Sequence, residues 1–267
     1  MINSPRLKPA LRLVAAALLA GNMNAASEQL SLDPTSVQHY DARVVAKEPF
    51  DRDNFVQGLE FDGDRLLVSS GLYGESIIKA YDWPELALRN EQHLPRQLFA
   101  EGLTRIGSSI YLLTWRAQRL LILNAKTFAL EGSAVLPGEG WGATSDSGRL
   151  FWSDGSSKIR SIDVEAGGAI DTINVTLLGK PLTWLNELEW IDGEIWANIW
   201  QQDKIAIIDP GTGVVRGIIH LNDLLDDNDR QPDTDVLNGI AMHAPTGDIW
   251  VTGKRWPWLY KITLKSR

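Results

Sequence analysis

Apolar residues in this chain come in short runs of four to six, broken by Gly, Asp-Gly and other turn residues, and no stretch holds a long amphipathic helical period. Five runs alternate or are near-continuously apolar and rich in β-branched and aromatic residues. They are Arg65–Ser70, Ile110–Trp115, Leu150–Asp154, Ile195–Trp200 and Ile249–Lys254. A further alternating run follows in most cases, as at Ser76–Tyr81, Arg119–Leu123 and Lys204–Asp209. Short strands between turn signals predict an all-β fold.

Ahead of each of the five runs stands a related tripeptide, a polar residue followed by Gly (once Glu) and a large apolar residue. These are Gln57-Gly58-Leu59, Glu101-Gly102-Leu103, Glu139-Gly140-Trp141, Asn186-Glu187-Leu188 and Asn238-Gly239-Ile240, spaced by 44, 38, 47 and 52 residues. A period of about 40–50 residues with several strands in each unit is the signature of propeller blades. The pattern therefore predicts a five-bladed β-propeller. Ala42–Phe50 is expected to close the ring with the C-terminal blade, whose last strand is Leu259–Leu264. A sandwich or barrel would show no five-fold landmark.

Residues 1–26 read as an export signal. Arg6, Lys8 and Arg12 give a basic start, Leu13–Ala20 is apolar, and Ala25 and Ala26 offer a small-residue cleavage site. The apolar run falls short of the ~20 residues that span a bilayer. Residues 27–267 are then expected to form one propeller domain, about 48 residues per blade, in the periplasm or secreted, with no membrane attachment after cleavage. A closed ring has no edge that demands a partner, so a monomer is expected.

Composition narrows the chemistry. The 267 residues include 11 tryptophans and no cysteine, which excludes disulfides, thiolate metal sites and a cysteine nucleophile. The net charge of −8, with a pI near 5.1, leaves no basic footprint for nucleic acid.

In a propeller the innermost strands bring equivalent positions to one central mouth. That places Gln57, Glu101, Glu139, Asn186 and Asn238 around the axis, with Ser70, Trp115, Asp154, Trp200 and Lys254 at the ends of the second strands. A ring of amides, carboxylates and one lysine walled by tryptophans makes a polar pocket with an apolar lining.

Eight motifs in order carry a more specific signal: Phe55–Leu59, Ser70–Ser76, Phe99–Thr104, Glu139–Gly142, Leu185–Glu189, Trp196–Trp200, Val236–Ala241 and Val251–Pro257. Together they resemble the plant and bacterial type of glutaminyl-peptide cyclotransferase, over about residues 54–262. The resemblance implies a five-bladed propeller acyltransferase that converts the N-terminal glutamine of peptides or proteins to pyroglutamate and releases ammonia. It implies Glu101 as the proton shuttle. Gln57, Asn186 and Lys254 would bind substrate amide groups or the developing oxyanion, and Trp115, Trp141 and Trp200 would wall the glutamine side chain. Ala100 and Ala143 depart from the family pattern without touching the glutamate. Asn238 and Glu187 stay open between support and substrate contact.

No metal or other cofactor is expected, because His39, His93, His220 and His243 are scattered and no HExxH motif occurs. A structural ion in the central channel is left open. The acidic stretch Asp223–Asp235 lacks an EF-hand pattern and reads as a solvated loop, and Asp62-Gly63-Asp64 reads as a hairpin turn. Two other classes compete: a non-catalytic propeller that binds peptide or glycan, and a calcium-dependent lactonase using Glu101, Asn186 and Asn238.

Overall fold

Strands carry nearly all the regular structure of this computed structural model, which describes residues 36–146 and 148–267. The expected leader lies outside the described residues. After strand β1 (Gln38–Pro49), the chain makes a four-stranded meander of β2 (Val56–Asp62), β3 (Arg65–Ser70), β4 (Ile77–Asp82) and β5 (Ala87–His93). A second meander contains β6 (Ala100–Ile106), β7 (Ser109–Thr114), β8 (Arg119–Asn124) and β9 (Leu130–Val135). A third contains β10 (Ala143–Ser145), β11 (Arg149–Ser153), β12 (Lys158–Asp163) and β13 (Asp171–Asn174). A two-residue hairpin, β14 (Thr176–Leu177) and β15 (Lys180–Pro181), precedes β16 (Leu185–Ile191), β17 (Glu194–Ile199), β18 (Lys204–Ile208) and β19 (Val215–His220). The last strands are β20 (Leu237–His243), β21 (Asp248–Gly253) and β22 (Trp258–Ser266). The five apolar runs read from sequence are β3, β7, β11, β17 and β21, displaced by at most one residue.

Strand β1 joins chain start to chain end. It pairs antiparallel with β22 from Tyr40↔Ser266 to Pro49↔Trp258 and parallel with β19 from Gln38↔Gly217 to Asp41↔His220. The last two meanders therefore form one eight-stranded sheet bridged by β1. The first strands also meet in a cycle: β2 packs on β6, β6 on β10, β10 on β16, β16 on β20, and β20 back on β2.

The core lies between successive sheets rather than within one layer. Leu67, Ile78 and Ala80 of the first sheet pack with Leu103, Ile110 and Leu112 of the second. Phe151 and Ile159 pack with Leu188 and Ile195, and Val56, Leu59 and Leu66 with Ala241 and Trp250. Inner strands bury nearly every side chain, whereas β5, β9 and β13 are exposed along most of their length. Such outer strands show no apolar alternation, so the sequence pattern does not reveal them.

Four first strands are interrupted by a β-bulge, at Val56/Gly58, Ala100/Leu103, Leu185/Leu188 and Leu237/Ile240. Each bulge holds the polar residue of the repeated tripeptide. Bulges re-aim side chains and end regular pairing, and here they turn Gln57, Glu101, Asn186 and Asn238 away from the ladder. Glycine follows in three of them, and at Gly58 and Gly102 the backbone of the next unit passes too close for a Cβ. A Cβ on Gly102 would strike the backbone of Gly142 and Ala143, and one on Gly142 would strike the Asn186 carbonyl.

The third unit departs from the expectation. Ala143 pairs with Trp152 as Leu59 pairs with Val68, and Gly102 N donates to Trp141 O at 2.5 Å. The tripeptide in the bulge position is therefore Trp141-Gly142-Ala143, two residues beyond Glu139-Gly140-Trp141. Glu139 instead shares its place with Phe55, Phe99 and Trp184, each two residues ahead of its unit's bulge residue. A similar one-residue shift applies after the second strands. Gly71 N donates to Phe55 O, as Trp115 N does to Phe99 O, Trp200 N to Trp184 O and Lys254 N to Val236 O. Gly71 and Gly155, not Ser70 and Asp154, occupy the positions equivalent to Trp115, Trp200 and Lys254. Gly155 leaves the room that the Trp141 indole fills.

Candidate active site

The bulges and the residues just past the second strands open at one end of the ring into a cavity of about 270 Å³. Its walls are Phe55, Gln57, Leu72, Phe99, Glu101, Trp115, Trp141, Asn186, Trp200, Asp235 and Lys254. All seven residues singled out from sequence, Glu101, Gln57, Trp115, Trp141, Asn186, Trp200 and Lys254, lie on this one cavity. Phe55, Phe99, Leu72 and Asp235 were missed. The two phenylalanines had a signal, because each stands two residues ahead of a bulge in Phe-x-Gln-Gly or Phe-x-Glu-Gly.

The polar groups are buried: Gln57 and Asn186 are 3% exposed, Glu101 and Lys254 5%. Backbone bonding fixes Lys254 at both ends, its N donating to Val236 O at 2.9 Å and its O accepting from Asp235 N at 3.1 Å. Its Nζ lies 4.9 Å from the centre of the Phe55 ring. Ser69 Oγ donates to Glu101 O at 2.5 Å, tying the bulge of the second unit to the first sheet. Burial pushes the Glu101 carboxyl well above the usual carboxylate range; the nearby Lys254 charge opposes that push and Glu139 adds to it. Burial likewise lowers Lys254, against the pull of Glu101 and Asp235. The centre of the cavity is thus a carboxyl that burial biases toward its protonated form, amid amide groups and indole faces.

The aromatic wall is itself organised. Trp141 meets Trp200 edge-on, with centroids 5.6 Å apart, and Trp115 meets Phe99 edge-on at 5.4 Å. One oxygen of Glu139, Oε2, accepts from both indoles, Trp115 Nε1 at 2.8 Å and Trp141 Nε1 at 3.0 Å.

A sequence model of the family described as Glutamine cyclotransferase matches residues 13–264. The chain belongs to the glutamine cyclotransferase family. It is 38% identical over 234 residues to a glutaminyl-peptide cyclotransferase of Arabidopsis thaliana, covering 84% of this chain and 71% of that one. Its structure is similar to that of the Myxococcus xanthus glutaminyl cyclase, with a TM-score of 0.79 and 30% identity over 87% of this chain and all of that one.

Within this glutamine cyclotransferase chain, the two residues left open by the sequence prove to hold the ring together. Asn238 donates to Val56 O at 3.0 Å and lies 3.4 Å from Gln57 Oε1. It supports Gln57 from behind and does not line the cavity. Glu187 reaches across the axis, accepting from Leu59 N at 3.3 Å and Ile240 N at 2.9 Å. Among the described residues, no group of three or more His, Asp or Glu side chains is arranged to hold a metal ion.

Proposed function

We propose that this glutamine cyclotransferase closes the N-terminal glutamine of peptides or proteins to pyroglutamate and releases ammonia, with Glu101 moving the proton. The substrate supplies both reacting groups, so catalysis needs orientation of the α-amine against the γ-carbonyl and a base that becomes an acid. The amine nitrogen bonds to Cδ while ionised Glu101 takes the proton the amine sheds. Glu101 then returns that proton to the side-chain nitrogen as the Cδ–N bond breaks, and ammonia departs with no net change in the enzyme. Gln57, Asn186 and Lys254 are placed to donate to the γ-oxygen as it gains charge. Trp115, Trp141 and Trp200 hold the glutamine methylenes and keep out water, whose attack would give glutamate instead.

One observation carries this reading: residues from bulge positions and second-strand ends of all five units converge on a single buried carboxyl whose pKa is raised by its surroundings. A shuttle must take up a proton and return it, and burial makes the Glu101 carboxyl hold a proton more tightly than an exposed glutamate does. The sign of the pH dependence follows, since both ionised Glu101 and the neutral α-amine are needed. Turnover should climb with pH through the Glu101 pKa. In Glu101→Gln, kcat should fall by roughly 10²–10⁴-fold with the circular dichroism spectrum retained; near-native turnover would refute the shuttle.

We further read the cycle of first strands, and the closure by β1, as a five-bladed propeller. Residues 1–26 are read as an export leader and 27–267 as a monomeric catalytic domain acting in the periplasm or outside the cell. N-terminal sequencing of the protein recovered from an exporting host tests the leader directly.

A further inference from the structure

Tyr73 and Trp184 are the two exposed aromatic residues among the described residues, each 49% accessible, and both stand beside the cavity. The other exposed large apolar side chains are aliphatic, and Val44, Val45, Leu88, Leu130 and Val135 lie on the outer strands β1, β5 and β9. Tyr73 follows Leu72, which lines the cavity, and its ring stacks on Trp115 at 6.3 Å and meets Phe99 edge-on at 5.4 Å. Trp184 lies 5.2 Å from Trp200 and 6.4 Å from Trp141, ring centre to ring centre. Each exposed ring therefore touches two aromatic residues of the cavity wall and carries that wall outward to solvent.

Both rings are held firmly. Leu72, with φ of 87°, and Trp184, with φ of 68°, occupy the left-handed region that bulky residues avoid. The loop of Tyr73 is tied by Gly74 N to Arg96 O and by Glu75 N and Ser76 Oγ to Leu72 O. Trp184 N donates to Gly155 O at 2.7 Å, and its O accepts from Trp200 N at 2.8 Å. Apolar rings kept exposed on a backbone tied by these bonds at a cavity mouth have paid part of their ordering cost before any ligand arrives.

A substrate whose N-terminal glutamine fills the cavity must leave through this mouth. We propose that Tyr73 and Trp184 form a subsite for the side chain that follows the glutamine, and that the subsite takes apolar and above all aromatic residues. The proposal rests on the cyclase reading of the cavity. Rigid aromatic surfaces gain most from apolar area and ring stacking, and offer little to a small or charged side chain.

The test compares kcat/KM for glutamine amide, which has no second residue, with a Gln-Gly and a Gln-Phe peptide. The wild-type protein should favour Gln-Phe over Gln-Gly by about fivefold, the scale of one aromatic pair. Tyr73→Ser and Trp184→Ser should each shrink that preference while glutamine amide and Gln-Gly stay within about twofold of wild type. No wild-type preference, or the same preference in both variants, overturns the subsite. So does an equal loss on all three substrates in both variants, which would make the rings mere props for the wall. If the wild-type protein leaves all three substrates untouched, the cyclase reading itself fails, and that outcome is separate from a lost preference.

Discussion

Glu101 and Glu139 are both glutamates of a repeated Glu-Gly pair, yet the structure gives them different tasks. Glu101 sits in a bulge at the cavity floor with its carboxyl pushed up by burial. Glu139 stands two residues before the next bulge and clamps two indoles through one oxygen. The repeat pattern alone could not separate them, because the third unit has two candidate glycines, Gly140 and Gly142, and only strand register tells which one fills the bulge. Glu139→Ala should free both indoles. The expected result is a rise in KM for Gln-initiated peptides of about tenfold, a smaller fall in kcat, and a change in tryptophan emission in the substrate-free protein. Glu139→Gln keeps an acceptor oxygen and should recover much of the loss. A Glu139→Ala protein with wild-type KM and emission would show that the clamp is idle.

The inner strands were legible because burial on both faces forces them to be apolar and β-branched, and β3, β7, β11, β17 and β21 fall where the runs predicted. The bulge polar residues were legible as interruptions of that pattern. Outer strands escaped notice since solvent on most of their surface imposes no period, as with β5, whose Arg89, Glu91 and Gln92 are all exposed. The tight approach of successive bulges supplies a prediction at this scale. Gly142→Ala should destabilise the fold by at least about 2 kcal/mol, because its Cβ meets fixed backbone of β16 rather than a movable side chain. Gly148→Ala, in open space, should stay within about 0.5 kcal/mol. Urea midpoints of the two variants measure the contrast, and similar midpoints would contradict the packing described.

Across the whole molecule, the axis is lined away from the cavity by the buried carboxyls of Glu187 and Glu189 on β16 and the half-buried Glu60 on β2. Burial raises all three: Glu60 to about 7, Glu187 and Glu189 well above the ordinary range. Glu60 faces Glu189, Asp62 and Arg105, while Glu189 also accepts from Met242 N at 2.8 Å. A carboxyl whose folded pKa lies above its unfolded value binds more protons when folded, so its contribution to stability is lost as pH rises through the folded value. Asp51, Asp154 and Asp248, held low by hydrogen bonds and nearby cations, act in the opposite sense and only below their ordinary range. His220, lowered by burial, opposes the trend weakly from near the surface. Unfolding free energy should therefore fall as pH rises from 5 to 8. Glu189→Gln, which keeps the acceptor for Met242, should flatten the slope, and a flat wild-type profile would contradict the account.

If the ring of bulges builds a site that cyclises N-terminal glutamine, one reaction shows it. The full-length protein is mixed with a Gln-initiated peptide near neutral pH, and the peptide mass and free ammonia are followed together. Because ring closure expels the side-chain nitrogen, the account predicts a mass loss of about 17 Da matched by one ammonia per peptide, and no change in the same peptide begun with alanine. An unchanged Gln-initiated peptide, or a gain of about 1 Da from hydrolysis of the amide to glutamate, would contradict it.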